Sequence, residues 1–92
     1  MIRSFKDKHT EAVFDRRPTR KWAFIARQAL RKLDMIHAAA KLTDLSHPAG
    51  NKLEALSGNR NGQHSIRINR QYRVCFVWNE DGAYDVEITD YH

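Results

Sequence analysis

Cysteine is nearly absent from this 92-residue chain, where Cys75 stands alone. A single thiol excludes an internal disulfide and cannot by itself build a zinc site. Long apolar runs are missing too. The longest, Trp22 to Ala26 and Val74 to Trp78, are five residues each, whereas a membrane-spanning helix needs about 20. The opening residues, MIRSFKDKHT, lack the apolar centre of a secretory signal, so a cytoplasmic location without a membrane partner is expected. The five histidines, His9, His37, His47, His64 and His92, have no metal-ligand spacing, and no glycine-rich phosphate loop occurs. No metal and no cofactor is therefore expected. Repeats and low-complexity segments are absent, and the length leaves room for one domain, residues 1–92. Its apolar fraction of 41% is enough for a globular core.

Charge is present but unevenly placed. Residues 1–41 carry eleven Lys/Arg against four Asp/Glu, and residues 42–92 carry five against seven. A basic face of this density draws polyanions, because released phosphate counterions supply sequence-independent affinity. Ordinary surface-helix composition and an acidic protein partner are the two other readings.

Hydrophobic spacing orders the elements. Met1 to Phe5 reads as a short strand, and Lys8 to Arg16 as a first helix that Pro18 stops. Thr19 then caps a second helix, whose Trp22, Ile25, Ala26, Ala29, Leu33, Ile36 and Ala40 form one apolar stripe. That helix ends near Lys41 to Leu45, before His47-Pro48-Ala49-Gly50. From Lys52 the period becomes two. Leu53 to Leu56 is a short strand, Ile66 and Ile68 share one face of the next, and Tyr72, Val74, Phe76 and Trp78 alternate along a third. Val86 and Ile88 supply the inner face of the last. Four strands joined by short turns make an antiparallel meander that the long helix covers on one face, an α+β fold.

Parity puts Arg67 and Arg73 opposite the core, with Tyr91 on their side and Glu54 on the first meander strand. A glutamate, an arginine and a histidine, His92, suffice for metal-free RNA cleavage. The base removes the ribose 2′-OH proton, the cation stabilises the phosphorane, and the acid protonates the leaving 5′-oxygen. Strand surfaces carry such residues routinely, so solvated charge is the competing reading.

The stretch from Lys52 to Phe76 carries the pattern L-x-x-L-x-G-x-R-x-G-x-x-S-I-R-I-N-x-Q-[YW]-R, and the chain closes on Glu87-Ile88-Thr89-Asp90-Tyr91-His92. These two motifs resemble the HigB toxins of the RelE/ParE superfamily, and within them the GraT-like plasmid-maintenance killer proteins. The resemblance spans nearly the whole chain. It implies a RelE-like β-α-α-β-β-β-β order, with two helices packed on one face of an antiparallel sheet. It further implies a type II toxin, a ribosome-dependent mRNA endonuclease acting in the A site. Its partners would be the ribosome, mRNA and a silencing HigA-like helix-turn-helix antitoxin, with operator DNA reached only through that antitoxin. By matched position Arg73 stabilises the phosphate, and Asp90, Tyr91 and His92 form the C-terminal catalytic cluster. Glu54 and Ser57 stand where well-studied HigB members have a histidine and a lysine, which implies slower cleavage. Glu54 instead matches the YoeB toxins, in which a Glu-x-Leu strand, an arginine nineteen residues later and a C-terminal histidine act as base, stabiliser and acid. Glu54 is therefore favoured as base, with Asp90 the alternative or the group that orients His92. Arg16, Arg17, Arg20, Lys21, Arg27, Arg31, Arg60 and Arg67 are the expected RNA and ribosome contacts. A gyrase-inhibiting toxin of the ParE type and a non-catalytic RNA-binding module are the rival readings.

Overall fold

A computed structural model describes residues 1–90 of the chain. Asp7 opens helix α1, Lys8–Phe14, by accepting the Thr10 amide at 2.8 Å. The helix stops two residues short of the expected Arg16. There the backbone turns left-handed (φ 60°), and the Arg16 and Arg17 amides donate to the carbonyls of Val13 and Ala12. That is a Schellman closure with arginine in the place glycine usually takes.

Thr19 caps nothing, contrary to expectation, since its hydroxyl is buried without a hydrogen-bond partner. A 3-10 turn, Ala23–Ile25, leads instead into helix α2, Ala26–Ala38. Three residues per turn put Trp22 and Ile25 on one face, and both are buried. Ala29, Leu33 and Ile36 continue the stripe without exposure, while Ala40 lies past the helix end and is exposed. The helix ends earlier than its periodicity suggests because the Asp44 carboxylate takes the amides of Ala40 and Lys41 at 3.0 and 3.1 Å. This starts a 3-10 turn, Leu42–Ser46, that inserts Leu45 into the core. Asn51, fully buried, ties the segment down. Its amide donates to the Leu45 and His47 carbonyls, and its oxygen accepts Lys32 Nζ at 2.6 Å. Partial burial, then the neighbouring Arg31, pushes the Lys32 ammonium pKa below its ordinary value.

The meander forms as expected: β1 (Glu54–Ala55), β2 (His64–Arg67), β3 (Tyr72–Asn79) and β4 (Gly82–Asp90), antiparallel and in that spatial order. Ile66, Val74, Phe76, Val86 and Ile88 meet Val13, Ile25, Ala29, Leu33 and Ile36 in one core. Between the pairs Cys75–Glu87 and Val77–Tyr84 the β4 strand holds one residue more than β3. The extra residue is accommodated where Asp85 turns left-handed (φ 53°), so Ala83 and Val86, three apart, both reach the core.

The expected first strand is reduced to two parallel bridges, Ile2 to Ala83 and Phe5 to Val86. They cover the outer edge of β4, which would otherwise leave its amides unpaired. Gly82 is required there, because a Cβ would sit 2.0 Å from the Met1 carbonyl oxygen. Among the described residues no helix is long and apolar enough to cross a membrane.

Candidate active site at the strand ends

Residues paired across antiparallel strands share a face. Glu54 pairs with Ser65, Ser65 with Cys75, Arg67 with Arg73, and Arg73 with Thr89. These side chains therefore lie opposite the helices, as parity predicts. Burial does not follow parity. Arg73 is 9% exposed, as low as a core residue, rather than a solvated cation. Its Nε donates to Ser65 Oγ at 2.7 Å, and its Nη2 donates to the carbonyls of Lys52 and Ser65. Lys52, left-handed at φ 48°, turns the chain over the guanidinium, and this is why the face is closed there. Glu54 Oε1 stands 3.8 Å from Arg73 Nε with its side chain 47% exposed. The pair thus sets a carboxylate at the water boundary above a fixed guanidinium.

Around this pair lies a cleft of about 440 Å³, lined by Lys52, Glu54, Arg67, Asn69, Arg70 and Arg73. Four cations against one carboxylate favour an anion. Arginine forks suit phosphate oxygens in particular. Lys52 and Arg70 are additions to the residues read from sequence. Only their closeness to Glu54 and to the Asn69–Gln71 turn could have pointed to them. Arg67 Nε donates to the Asn69 carbonyl at 3.0 Å, which fixes its direction beside the cleft.

Asp90 takes the other side of the strand end. It pairs with Tyr72, not Arg73, and its carboxylate accepts Gln71 Nε2 at 3.2 and 3.3 Å. Glu54, Arg67 and Arg73 are thus brought together in the cleft, whereas Asp90 is held by Gln71 at the end of β3 and is not among the residues that line it. Tyr91 and His92 fall outside the described residues. Arg60 is drawn into an ion pair with Glu87 at 2.8 Å, with side-chain exposures of 29% and 18%. Cys75 is fully buried, and that burial pushes its thiol pKa up, away from a nucleophilic thiolate. Among the described residues no group of His, Cys, Asp or Glu is placed to hold a metal ion.

The basic N-terminal half forms a separate surface. Arg20, Lys21, Arg27 and Arg31 are exposed, whereas Arg16 and Arg17 are paired with Asp34 and Asp15, each at 3.2 Å. Between α1 and α2 runs a groove of about 410 Å³, floored by Val13, Pro18, Ala26 and Leu30 and rimmed by Arg16, Arg17 and Arg27.

An antiparallel meander covered on one face by two helices is the RelE-like toxin fold. The chain superposes on a chain of the YoeB-YefM complex from Staphylococcus aureus with a TM-score of 0.58. That match covers all of this chain and 98% of the other, at 14% identity, and is a likeness of fold. Sequence carries the assignment further. Residues 3–92 match the family described as the RelE-like toxin of type II toxin-antitoxin system HigB. The chain is 41% identical over 80 residues to Toxin HigB-1 of Vibrio cholerae serotype O1, covering 85% of this chain and 84% of that protein. It is also 46% identical over 48 residues to an uncharacterized protein of Haemophilus influenzae, 52% of this chain and 48% of that one. The chain belongs to the HigB-like toxin family.

Proposed function

We propose that this toxin is a ribosome-dependent, metal-independent endoribonuclease that cuts mRNA in the A site and so stops translation. The observation that carries the reading is the cationic cleft in which Glu54 sits beside the buried, hydrogen-bonded Arg73. Glu54, open to water, takes the proton from the ribose 2′-OH. The resulting alkoxide attacks the adjacent phosphorus. Arg73, held from below and so already oriented, faces the charge that builds on the phosphorane oxygens, with Arg67 and Arg70 on the flanks. His92 protonates the departing 5′-oxygen, and Asp90 orients it or replaces Glu54 as base. A 2′,3′-cyclic phosphate and a 5′-hydroxyl end result, with one proton taken and one returned.

Its partners are the ribosome with its mRNA and a HigA-like antitoxin, through which alone it meets operator DNA. Membership of a type II toxin family and the likeness to a toxin solved with its antitoxin support the last partner. The compartment is the cytoplasm, where translating ribosomes are.

Primer extension on an mRNA in a translating extract tests the reading. Breaks at codon positions that need ribosomes are expected. Glu54→Gln and His92→Gln should each slow them by about a hundredfold or more, the usual worth of general acid–base catalysis. Intact mRNA together with inhibited supercoiling in a parallel gyrase assay would replace the reading with the ParE type.

A further inference from the structure

Lys52 belongs to the cleft in two ways. Its backbone carbonyl accepts a hydrogen bond from Arg73 Nη2, and the residue lines the cleft beside Glu54 and Arg73. Its main chain is held on both sides. Before it, the 3-10 turn Ala49–Asn51 ends on the fully buried Asn51, and the Lys52 amide donates to the Ala49 carbonyl at 3.2 Å. After it, Leu53 packs against the core, and its neighbours Lys52 and Glu54 are left to the cleft. The left-handed backbone at Lys52 is one that glycine and asparagine adopt more readily than lysine. Backbone geometry therefore gives no reason for a lysine there. The side chain is exposed, and among the described residues its ammonium is in no ion pair.

The reaction asks for a second cation. Attack by the 2′-oxygen turns a singly charged phosphodiester into a doubly charged phosphorane. A guanidinium has five N–H donors, and Arg73 already gives three of them to protein oxygens. Its Nε donates to Ser65 Oγ, and its Nη2 donates to the carbonyls of Lys52 and Ser65. The edge carrying Nε and Nη2 is thereby closed to substrate. Three other cations line the cleft. Arg67 directs its Nε to the Asn69 carbonyl, and Arg70 stands exposed on the turn that follows. Lys52 has its own backbone bonded to the Arg73 guanidinium. A flexible four-carbon stem lets its ammonium reach a phosphate resting on that guanidinium, as a point charge that can follow the phosphorus. Ser57, where the resemblance would look for a lysine, does not line the cleft.

We infer that the Lys52 ammonium is a catalytic cation, seated on a non-bridging oxygen of the scissile phosphate beside Arg73 and neutralising the charge the phosphorane gains. This rests on the endoribonuclease reading. The test is single-turnover cleavage of mRNA in ribosome complexes by the whole chain. Lys52→Asn accepts the left-handed backbone, keeps the carbonyl that holds Arg73 and removes the cation. It should melt with the wild type, bind ribosome complexes nearly as tightly, and cut about a hundredfold more slowly. Lys52→Arg should recover most of the rate. A phosphorothioate at the scissile position adds a readout that a structural role would not move. The wild type should cut one diastereomer more slowly than the other, and that preference should shrink in Lys52→Asn. If folded Lys52→Asn cuts at the wild-type rate, or keeps the full preference, the inference is refuted and the endoribonuclease reading stands. It is refuted too if the Asn and Arg variants are equally slow, since charge is then not what acts. A variant that binds ribosomes weakly but cuts normally once saturated would make Lys52 a docking contact, again refuting it. If the wild type itself leaves mRNA intact, both fall. Should Lys52→Asn unfold early, Lys52→Gly serves, since glycine takes the left-handed backbone without strain.

Discussion

Arg73 holds the fold and faces the cleft with the same guanidinium, and substitutions there must separate the two roles. Removing it strips donors from Ser65 Oγ and from the Lys52 and Ser65 carbonyls in a buried setting. Each such group left unsatisfied costs about 1–3 kcal/mol. Arg73→Ala should therefore lose toxicity partly by losing stability. Arg73→Lys keeps a cation and one donor direction but cannot fork onto a phosphate. It should stay folded in a thermal melt while single-turnover cleavage falls by about a hundredfold. A folded Arg73→Lys that cuts at the wild-type rate would remove Arg73 from the reaction. The nineteen-residue spacing of Glu54 and Arg73 was legible in the sequence, and so was the face they share. The burial was not, because what covers Arg73 is a backbone carbonyl from Lys52, delivered by a left-handed turn that leaves no periodic trace.

At the scale of elements, regular spacing was readable wherever side chains alone decide structure. The stripe Ile25, Ala29, Leu33, Ile36 and the alternation from Tyr72 to Trp78 both settle where expected. Boundaries fixed by backbone capping were less legible. Asp44 ends the approach to the second 3-10 turn by taking two amides, and Arg16 closes α1 in a conformation that residue rarely adopts. The outer edge of β4 is the clearest case. Its amides are met in turn by the Met1 carbonyl, the Ser4 hydroxyl and carbonyl, and Thr10 Oγ1. Thr10 is fully buried, accepts the Ile88 amide at 3.0 Å and donates to Asp7 at 3.0 Å, so one hydroxyl joins α1 to β4. Thr10→Val preserves shape and leaves the Ile88 amide without an acceptor, at a cost of about 1–3 kcal/mol. For a domain of this size that corresponds to a fall in Tm of at least about 4 °C. Thr10→Ser should recover most of it. A Val variant melting with the wild type would show that the hydroxyl does not couple the two elements.

Over the whole molecule, the excess of cations in the first 41 residues becomes a surface of its own, apart from the cleft cations Lys52, Arg67, Arg70 and Arg73. Its members are not equivalent. Arg16 and Arg17 are paired with Asp34 and Asp15 on the exposed surface, where such pairs are worth about 0–1 kcal/mol and exchange readily. Arg20, Lys21, Arg27 and Arg31 are exposed on the turn leading to α2 and on α2 itself. If this surface supplies ribosome affinity, changing those four to Gln should weaken binding steeply, whereas Arg16→Gln with Arg17→Gln should weaken it less. Each lost phosphate contact should also flatten the plot of log affinity against log salt by about 0.7–0.9. The fourfold variant should accordingly lose up to about 3.6 from the slope. Cleavage at saturating ribosome concentration should stay near the wild-type rate, because the Glu54–Arg73 cleft is untouched. A charge effect acting only through net charge would change the two variants in proportion to the charges removed. A fourfold variant with an unaltered salt slope would assign ribosome affinity to the cleft cations instead.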